Sequence, residues 1–462
     1  MSKKAWQRER ELRDAAIPMD RRIHGSNWYD SEFSVPYGDD LISMFWQANV
    51  PGSGAPEIPY QEMVQAMGNK GFDVQKAEEL IEDGIMLHKV KNFPELRKIT
   101  AELLAALFNA QKYPEHNYHT YSHPESWENV CKEMSPLLLE DQWGDWGSDF
   151  DKKIYQGWLG QLAGGSFGTA IEGYTGEQIA KVYGKVNSYI TEPETVNDDV
   201  VYELVFLDVF EKMGRHITSE AIGLEWVKQI KFGWSAEWIA LRNLNQGILP
   251  PHSGSWHNPF SDWIGAQMRG MICGLLSPAL PFEAARLAHI DGVVSHSANG
   301  VYGEMYAAAM TALAFIHNDP CKIVIKGLDY LPQDSEYVTL QKKVVSILEN
   351  NKNAEKAWAT IEPIYNRYNW IHAYPNAAAD IFALWYGGLD FSETMALLAH
   401  AGNDVDCNAG LVGTILGVIS PVPQKWVAPI GDLLETYIKG KEKLSIRELA
   451  KETAQLAKEN WQ

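Results

Sequence analysis

Apolar residues in this chain recur at helical spacing or run on with no polar face, and they almost never alternate. Leu96, Ile99, Leu103 and Leu107 form one stripe behind Asn92-Phe93-Pro94, which predicts a helix with a single buried face. Val200 to Met213 reads differently, because Val200, Val201, Leu204, Val205, Leu207, Val209 and Phe210 leave little polar surface. Leu411 to Ile419 is almost wholly apolar until Ser420-Pro421 stops it. A helix apolar all round belongs in an interior. At the C-terminus, Ser445 and Glu448 make a capping box for an amphipathic helix. There is no internal repeat at a period of about 20–50 residues and no strand-rich alternation. The expected class is all-α.

Punctuation divides the chain. Pro51-Gly52-Ser53-Gly54-Ala55-Pro56 is a breaker cluster in a charged, loop-rich beginning. The texture changes at Gly157, where Gly157, Gly160, Gly164 and Gly168 recur every three to four residues. Glycine costs about 1 kcal/mol against alanine inside a helix, so a row of them on one face implies that another backbone packs there. Gly410, Gly413 and Gly417 form a matching stripe, and the two helices are expected to touch. That contact would hold Glu172, at the end of the first stripe, near the acids described next. The division expected is 1–145 as a helical and loop-rich extension, 146–440 as the core, and 441–462 as a helix packed on it.

Both buried helices open with paired acids. Asn197-Asp198-Asp199 precedes Val200, and Asp404-Val405-Asp406-Cys407 precedes the Leu411 run. Ordinary capping explains one carboxylate at a helix start, with Asn197 a favoured cap and Gly214 a favoured terminator. A helix dipole contributes about 1 kcal/mol per charge at most in exposed settings, too little for two desolvated carboxylates. Four together repel unless protons or cations intervene. Hard oxygen donors of this kind suit Mg²⁺, Mn²⁺ or Ca²⁺.

The chain has 462 residues, 45% hydrophobic and 22% charged, with a formal net charge of −20. That charge argues against nucleic-acid backbones and anionic membranes as partners. Cys131, Cys273, Cys321 and Cys407 are widely spaced and read as reduced thiols of a cytoplasmic protein. The start, Met1-Ser2-Lys3-Lys4, does not look like a signal peptide. No run reaches the roughly 18 apolar residues of a membrane span.

Lesser candidates stay open at this level. His116, His119 and His123 have helical metal-ligand spacing, but Pro124 and polar neighbours favour a loop. Gln267 and Arg269 interrupt an apolar segment beginning at Ile264-Gly265, so they either bond to backbone or face a ligand. Ser295-His296-Ser297-Ala298-Asn299-Gly300 opens a helix and could cradle an anion. Trp370, His372, Pro375-Asn376 and Asp390-Phe391 lead up to the last acidic pair.

Taken together, these residues resemble the ADP-ribosylglycohydrolase family, which includes the enzyme that removes ADP-ribose from dinitrogenase reductase. Gly160 through Glu172 is similar to its glycine-rich first helix, and Asn197-Asp198-Asp199 to its Thr-Asp-Asp block. Gly265 to Arg269 with Ser295-His296 is similar to its middle blocks, and Gly402 to Asn408 to its Asp-x-Asp-Thr/Cys block. The likeness covers roughly 145–435. It implies an all-α core with two Mg²⁺ sites, one of them weak, and Mn²⁺ as the substitute ion. Asn197, Asp198, Asp199, Asp404, Asp406 and Cys407 stand at metal-ligand positions, and Glu172 and Asp404 at catalytic ones. Gly265, Gln267, His296, Asn299 and Gly300 stand at substrate-binding positions. Three departures are Gly165 where the family usually has Asp, Asn197 where it has Thr or Ser, and Cys407 where many relatives have Thr.

The resemblance implies metal-assisted hydrolysis at ribose C1, releasing ADP-ribose from a small-molecule or ADP-ribosylated substrate. Three alternatives are hydrolysis of a small N-ribosyl compound, a non-catalytic binder, and a metal-dependent phosphohydrolase. No nucleic acid and no membrane are expected as partners.

Overall fold

The apolar runs become helices buried on all sides. A computed structural model describes residues 3–18, 20, 22, 38–136, 146 and 148–461, and the described residues are 65% helical. The helix Asp198–Met213 begins where the Asn197 side chain accepts a hydrogen bond from the Asp199 N–H at 2.8 Å. It ends at Gly214, whose φ of 56° suits a residue without Cβ. The helix Val405–Ile419 is buried from Val405 through Val418.

The helix Phe150–Gly168 lies against Val405–Ile419 along both glycine stripes. A Cβ at Gly160 would collide with the Gly413 carbonyl, one at Gly164 with the Ala409 carbonyl, and one at Gly413 with the Gly160 carbonyl. Backbone therefore meets backbone, and the helix propensity lost at each glycine is offset by contact no larger residue permits. The C-terminal helix Ile446–Trp461 covers the other side, with Trp158 Nε1 donating to Thr453 Oγ1 at 3.1 Å. The N-terminal half of its capping box forms, since Ser445 Oγ accepts from the Glu448 N–H.

Strand structure among the described residues is limited to three antiparallel ribbons of two residues per strand. Ala48–Asn49 pairs with Pro56–Glu57, Tyr174–Thr175 with Gly402–Asn403, and Leu434–Glu435 with Lys443–Leu444. The Pro51–Pro56 cluster is the turn of the first ribbon, closed by Val50 N–H to Ala55 O at 2.8 Å.

The N-terminal helices include Ala5–Ala15, Pro59–Asn69, Gln75–Lys89 and Phe93–Phe108. Leu96, Ile99, Leu103 and Leu107 are buried with Trp46, Met63 and Ile81. Ala236, Ile239, Phe260 and Trp263 belong to the same cluster, so this segment shares a core with later chain. All four cysteines are free thiols. No described helix is long and apolar enough to cross a membrane.

Candidate active site

A two-residue ribbon brings the ends of the two glycine helices together. Tyr174 pairs with Asn403, and the Gly173 N–H donates to the Asn403 carbonyl at 2.9 Å. Glu172 is thereby set beside Asp404. Asn376 fixes the other side, its Oδ1 accepting from the Asp404 N–H at 3.1 Å and from Asn408 Nδ2 at 2.8 Å. Gly168 packs on the backbone of Asp406, where a Cβ would not fit.

The two acidic helix ends converge. The Cys407 thiol donates to Asp199 Oδ1 at 3.4 Å, and Asn197 Nδ2 donates to Asp406 Oδ2 at 3.1 Å. Asp198, Asp199, Asp404 and Asp406 line one cavity with Glu172. Burial raises the Asp198 carboxyl to about 7, with the Asp406 charge adding to it. Asp199, Asp404 and Glu172 are pushed well above the usual carboxylate range, first by burial and next by Asp406. The cluster lacks positive charge.

Its donors fit a hard divalent cation. Asp404 Oδ1 and Asp406 Oδ1 are buried without a hydrogen-bond partner, an expensive state for a carboxylate that a cation relieves. Ligand atoms of Asp404, Asp406 and Cys407 lie within 4.8 Å of one another. Two flanking positions fit less well. Burial raises the Cys407 thiol, which serves as a donor to Asp199, and a protonated thiol is a poor partner for Mg²⁺. Asn197 already spends Oδ1 on the helix cap. A Cβ at Gly165 would stand 3.5 Å from Asn197 Nδ2, so two of the departures from the family pattern are spatial neighbours.

Of the substrate-binding positions drawn from the sequence, Gly265 lies on the cavity wall. The other four are interior. Gln267 is held by Asp380 at 2.9 Å and Tyr337 at 3.0 Å. His296 bonds through Nδ1 to Ser295 Oγ at 2.7 Å, Asn299 Oδ1 accepts from the Tyr337 N–H, and Gly300 packs on the Ser261 carbonyl. Arg269 is interior as well. Its guanidinium bonds Glu237 at 2.9 Å, Ser295 at 2.8 Å, the Gly265 carbonyl and Asp291. The three histidines of the 116–123 stretch turn to separate partners, His123 Nε2 to the Tyr118 carbonyl at 2.8 Å and His119 to Gly71, around a short 3₁₀ turn.

Residues that belong to no matched block also line the cavity: Val50, Pro51, Glu57, Trp234 and Glu237. Only the breaker cluster at 51–56 marked part of that wall. Burial raises Glu237 to about 7 despite Arg269, and raises Glu57 to about 8, with the Glu9 charge adding to it.

An uncharacterized protein of Archaeoglobus fulgidus is 24% identical over 300 residues, which is 59% of this chain and 90% of that protein. A solved structure described as an ADP-ribosylglycohydrolase-related protein complex aligns at a TM-score of 0.48 and 17% identity, over 68% of this chain and 100% of that one. The ADP-ribosylglycohydrolase family model matches residues 147–462, which supports a glycohydrolase-type activity. The chain belongs to the ADP-ribosylglycohydrolase family.

Proposed function

We propose that the protein is a divalent-cation-dependent hydrolase that cleaves the glycosidic bond at C1 of a ribosyl group, a reaction of the type that releases ADP-ribose. One observation carries this reading: four aspartates from two helix starts meet opposite Glu172, with Asp404 Oδ1 and Asp406 Oδ1 buried and unpartnered. Asp198, Asp199, Asp404 and Asp406 would hold the ion, Mg²⁺ or Mn²⁺ by their donor chemistry. When bound, it supplies Lewis acidity for ribose hydroxyls and water.

The chain's own groups do the rest. Glu172 takes the proton of the attacking water as general base. The water oxygen bonds to C1 while the bond to the leaving atom breaks, and that atom keeps the electron pair. Asp406 is the first of the charges that hold a proton on Glu172, followed by Asp404 and Asp198. Neutralising them frees the Glu172 carboxylate to act. Carboxylates around C1 also stabilise the positive charge of an oxocarbenium-like transition state. Asn376 positions Asp404 from behind.

The test is Asp404→Ala, assayed with Mg²⁺ by mass spectrometry of products. Turnover should vanish while circular dichroism keeps its helical signature. Undiminished turnover in that variant would sink the proposal, and release of inorganic phosphate in place of a free sugar would move it to a phosphohydrolase.

A further inference from the structure

The first helix carries a buried arginine that no carboxylate meets. Arg10 and Arg13 are three residues apart on Ala5–Ala15, so they share a face on which like charges repel. Both line a second cavity, with Glu362, Tyr365, Asn369 and Asn403. Arg13 is 7% exposed and forms no ion pair with a described residue. Its Nη1 and Nη2 donate to uncharged acceptors, Asn403 Oδ1 and the Tyr174 carbonyl, and its Nε is buried without a hydrogen-bond partner. A buried charge left unpaired is expensive. Burial, and then the Arg10 charge, lower the Arg13 pKa to about 9 against the pull of Glu9, Glu362 and Asp14. Those acids are placed elsewhere. Asp14 pairs with Arg10 Nε at 3.0 Å, Glu9 accepts from Gln61 Nε2 at 3.1 Å, and Glu362 forms no ion pair with a described residue. Asp14 takes Arg10 through Nε, which leaves the two Nη groups without an acceptor among the described residues.

We propose that this cavity binds a phosphate group between the Nη donors of Arg10 and Nε of Arg13, and that the bound anion steadies the ribbon carrying Asp404. Phosphate oxygens accept charge-assisted, often paired hydrogen bonds from guanidinium groups, and Arg10 offers two donors where Arg13 offers a third. The anion supplies the counter-charge that Arg13 lacks and relieves the repulsion between the two arginines. Its effect reaches the ribbon through one side chain. Arg13 grips Asn403 and Tyr174 on opposite strands, so an anion that fixes its guanidinium also fixes the pairing beside Asp404. Glu362 is the carboxylate in the cavity wall among the described residues, and its charge weakens the site. Binding here uses none of the acids of the candidate active site and does not rest on the hydrolytic reading.

The test is isothermal titration calorimetry of the full chain with inorganic phosphate, in EDTA so that no cation draws phosphate to the aspartates. Sodium chloride at matched ionic strength is the blank, and adenosine monophosphate is the second probe. The expected result is saturable binding of one phosphate per chain. Arg10→Gln should weaken it about tenfold, as loss of a charge-assisted hydrogen bond implies, and Glu362→Gln should tighten it. Opposite shifts from two walls of one cavity place the ion there, and either variant serves if the other folds poorly. Binding of phosphate alone assigns the site to the free ion, and equal binding of adenosine monophosphate assigns it to the terminal phosphate of a nucleotide. Hydrogen exchange at residues 173–176 and 402–404 should slow on phosphate saturation in the wild type and stay unchanged in Arg10→Gln. No saturable binding, or an affinity that neither folded variant moves, overturns the site. Binding without slower exchange in the wild type overturns its link to the ribbon.

Discussion

Arg13 and Asn403, 390 residues apart in sequence, meet at 3.0 Å between Nη1 and Oδ1. Nη2 of the same arginine donates to the Tyr174 carbonyl at 2.8 Å. One buried guanidinium from the first helix thus clamps both strands of the ribbon that sets Glu172 beside Asp404. Arg13→Ala should destabilise the fold by about 1.5–3 kcal/mol, the range for hydrogen bonds to a charged group. Turnover should fall as well, because the neighbour of Asp404 loses its anchor. A urea melt read alongside an activity assay checks both. Arg13→Lys should recover only part, since an ammonium does not reproduce the two-pronged geometry.

Glycines on the two paired helices divide into two kinds. At Gly164 a methyl group would overlap the Ala409 carbonyl, whereas at Gly410 the first neighbour is Gln161 Cγ at 3.8 Å. Gly164→Ala should cost about 3 kcal/mol through forced separation of the helices. Gly410→Ala should be neutral or stabilising by up to about 1 kcal/mol from helix propensity. Equal melting temperatures for the two variants would contradict the backbone contact.

Cation binding should appear in stability as well as in activity. At a Mg²⁺ concentration of about 100 times Kd, linkage adds about 2.7 kcal/mol to the folded state. The wild type should therefore melt higher with Mg²⁺ than with EDTA, and Asp406→Asn should lose most of that difference. In EDTA the same variant should melt no lower than the wild type, because one of several crowded carboxylates has become neutral. Differential scanning calorimetry in both buffers decides it.

A buried histidine away from the site predicts a pH dependence. His289 bonds through Nε2 to the Glu125 carbonyl at 3.0 Å, and burial lowers its pKa from 6.5 to about 4. The unfolded chain binds this proton below about pH 6.5 and the folded chain only below about 4, so stability rises with pH between those values. The contribution is complete above pH 6.5, is lost as pH falls towards 4, and amounts to about 3 kcal/mol. His289→Gln should flatten the pH dependence of the melting temperature across that window.

The helices that carry the acids were legible because burial leaves a linear trace. Val200–Phe210 and Leu411–Ile419 read as apolar on every face, and the matched glycine rows at 157–168 and 410–417 announced two backbones in contact. The glycine contact placed Glu172 near Asp404 and Asp406, whereas the meeting of Asp198 and Asp199 with them was what the family resemblance implied. The polar segments were less transparent. Gln267 and Asn299 carry the side chains of a binding site yet spend them on Asp380 and Tyr337, partners far along the chain, and His296 turns to its neighbour Ser295. Nothing local distinguishes a buried polar residue satisfied by protein from one awaiting a ligand.

What the sequence determined by itself was the helical class, the paired helices and the acids at their mouths, because periodicity, capping and glycine spacing are local properties. Tertiary structure decided which other groups share that mouth. Glu57 and Pro51 reach the cavity through a ribbon whose docking depends on Tyr174, and Glu237 reaches it from a helix with no motif of its own. Such contacts join segments distant along the chain through shape and burial, and leave no periodic mark on either partner.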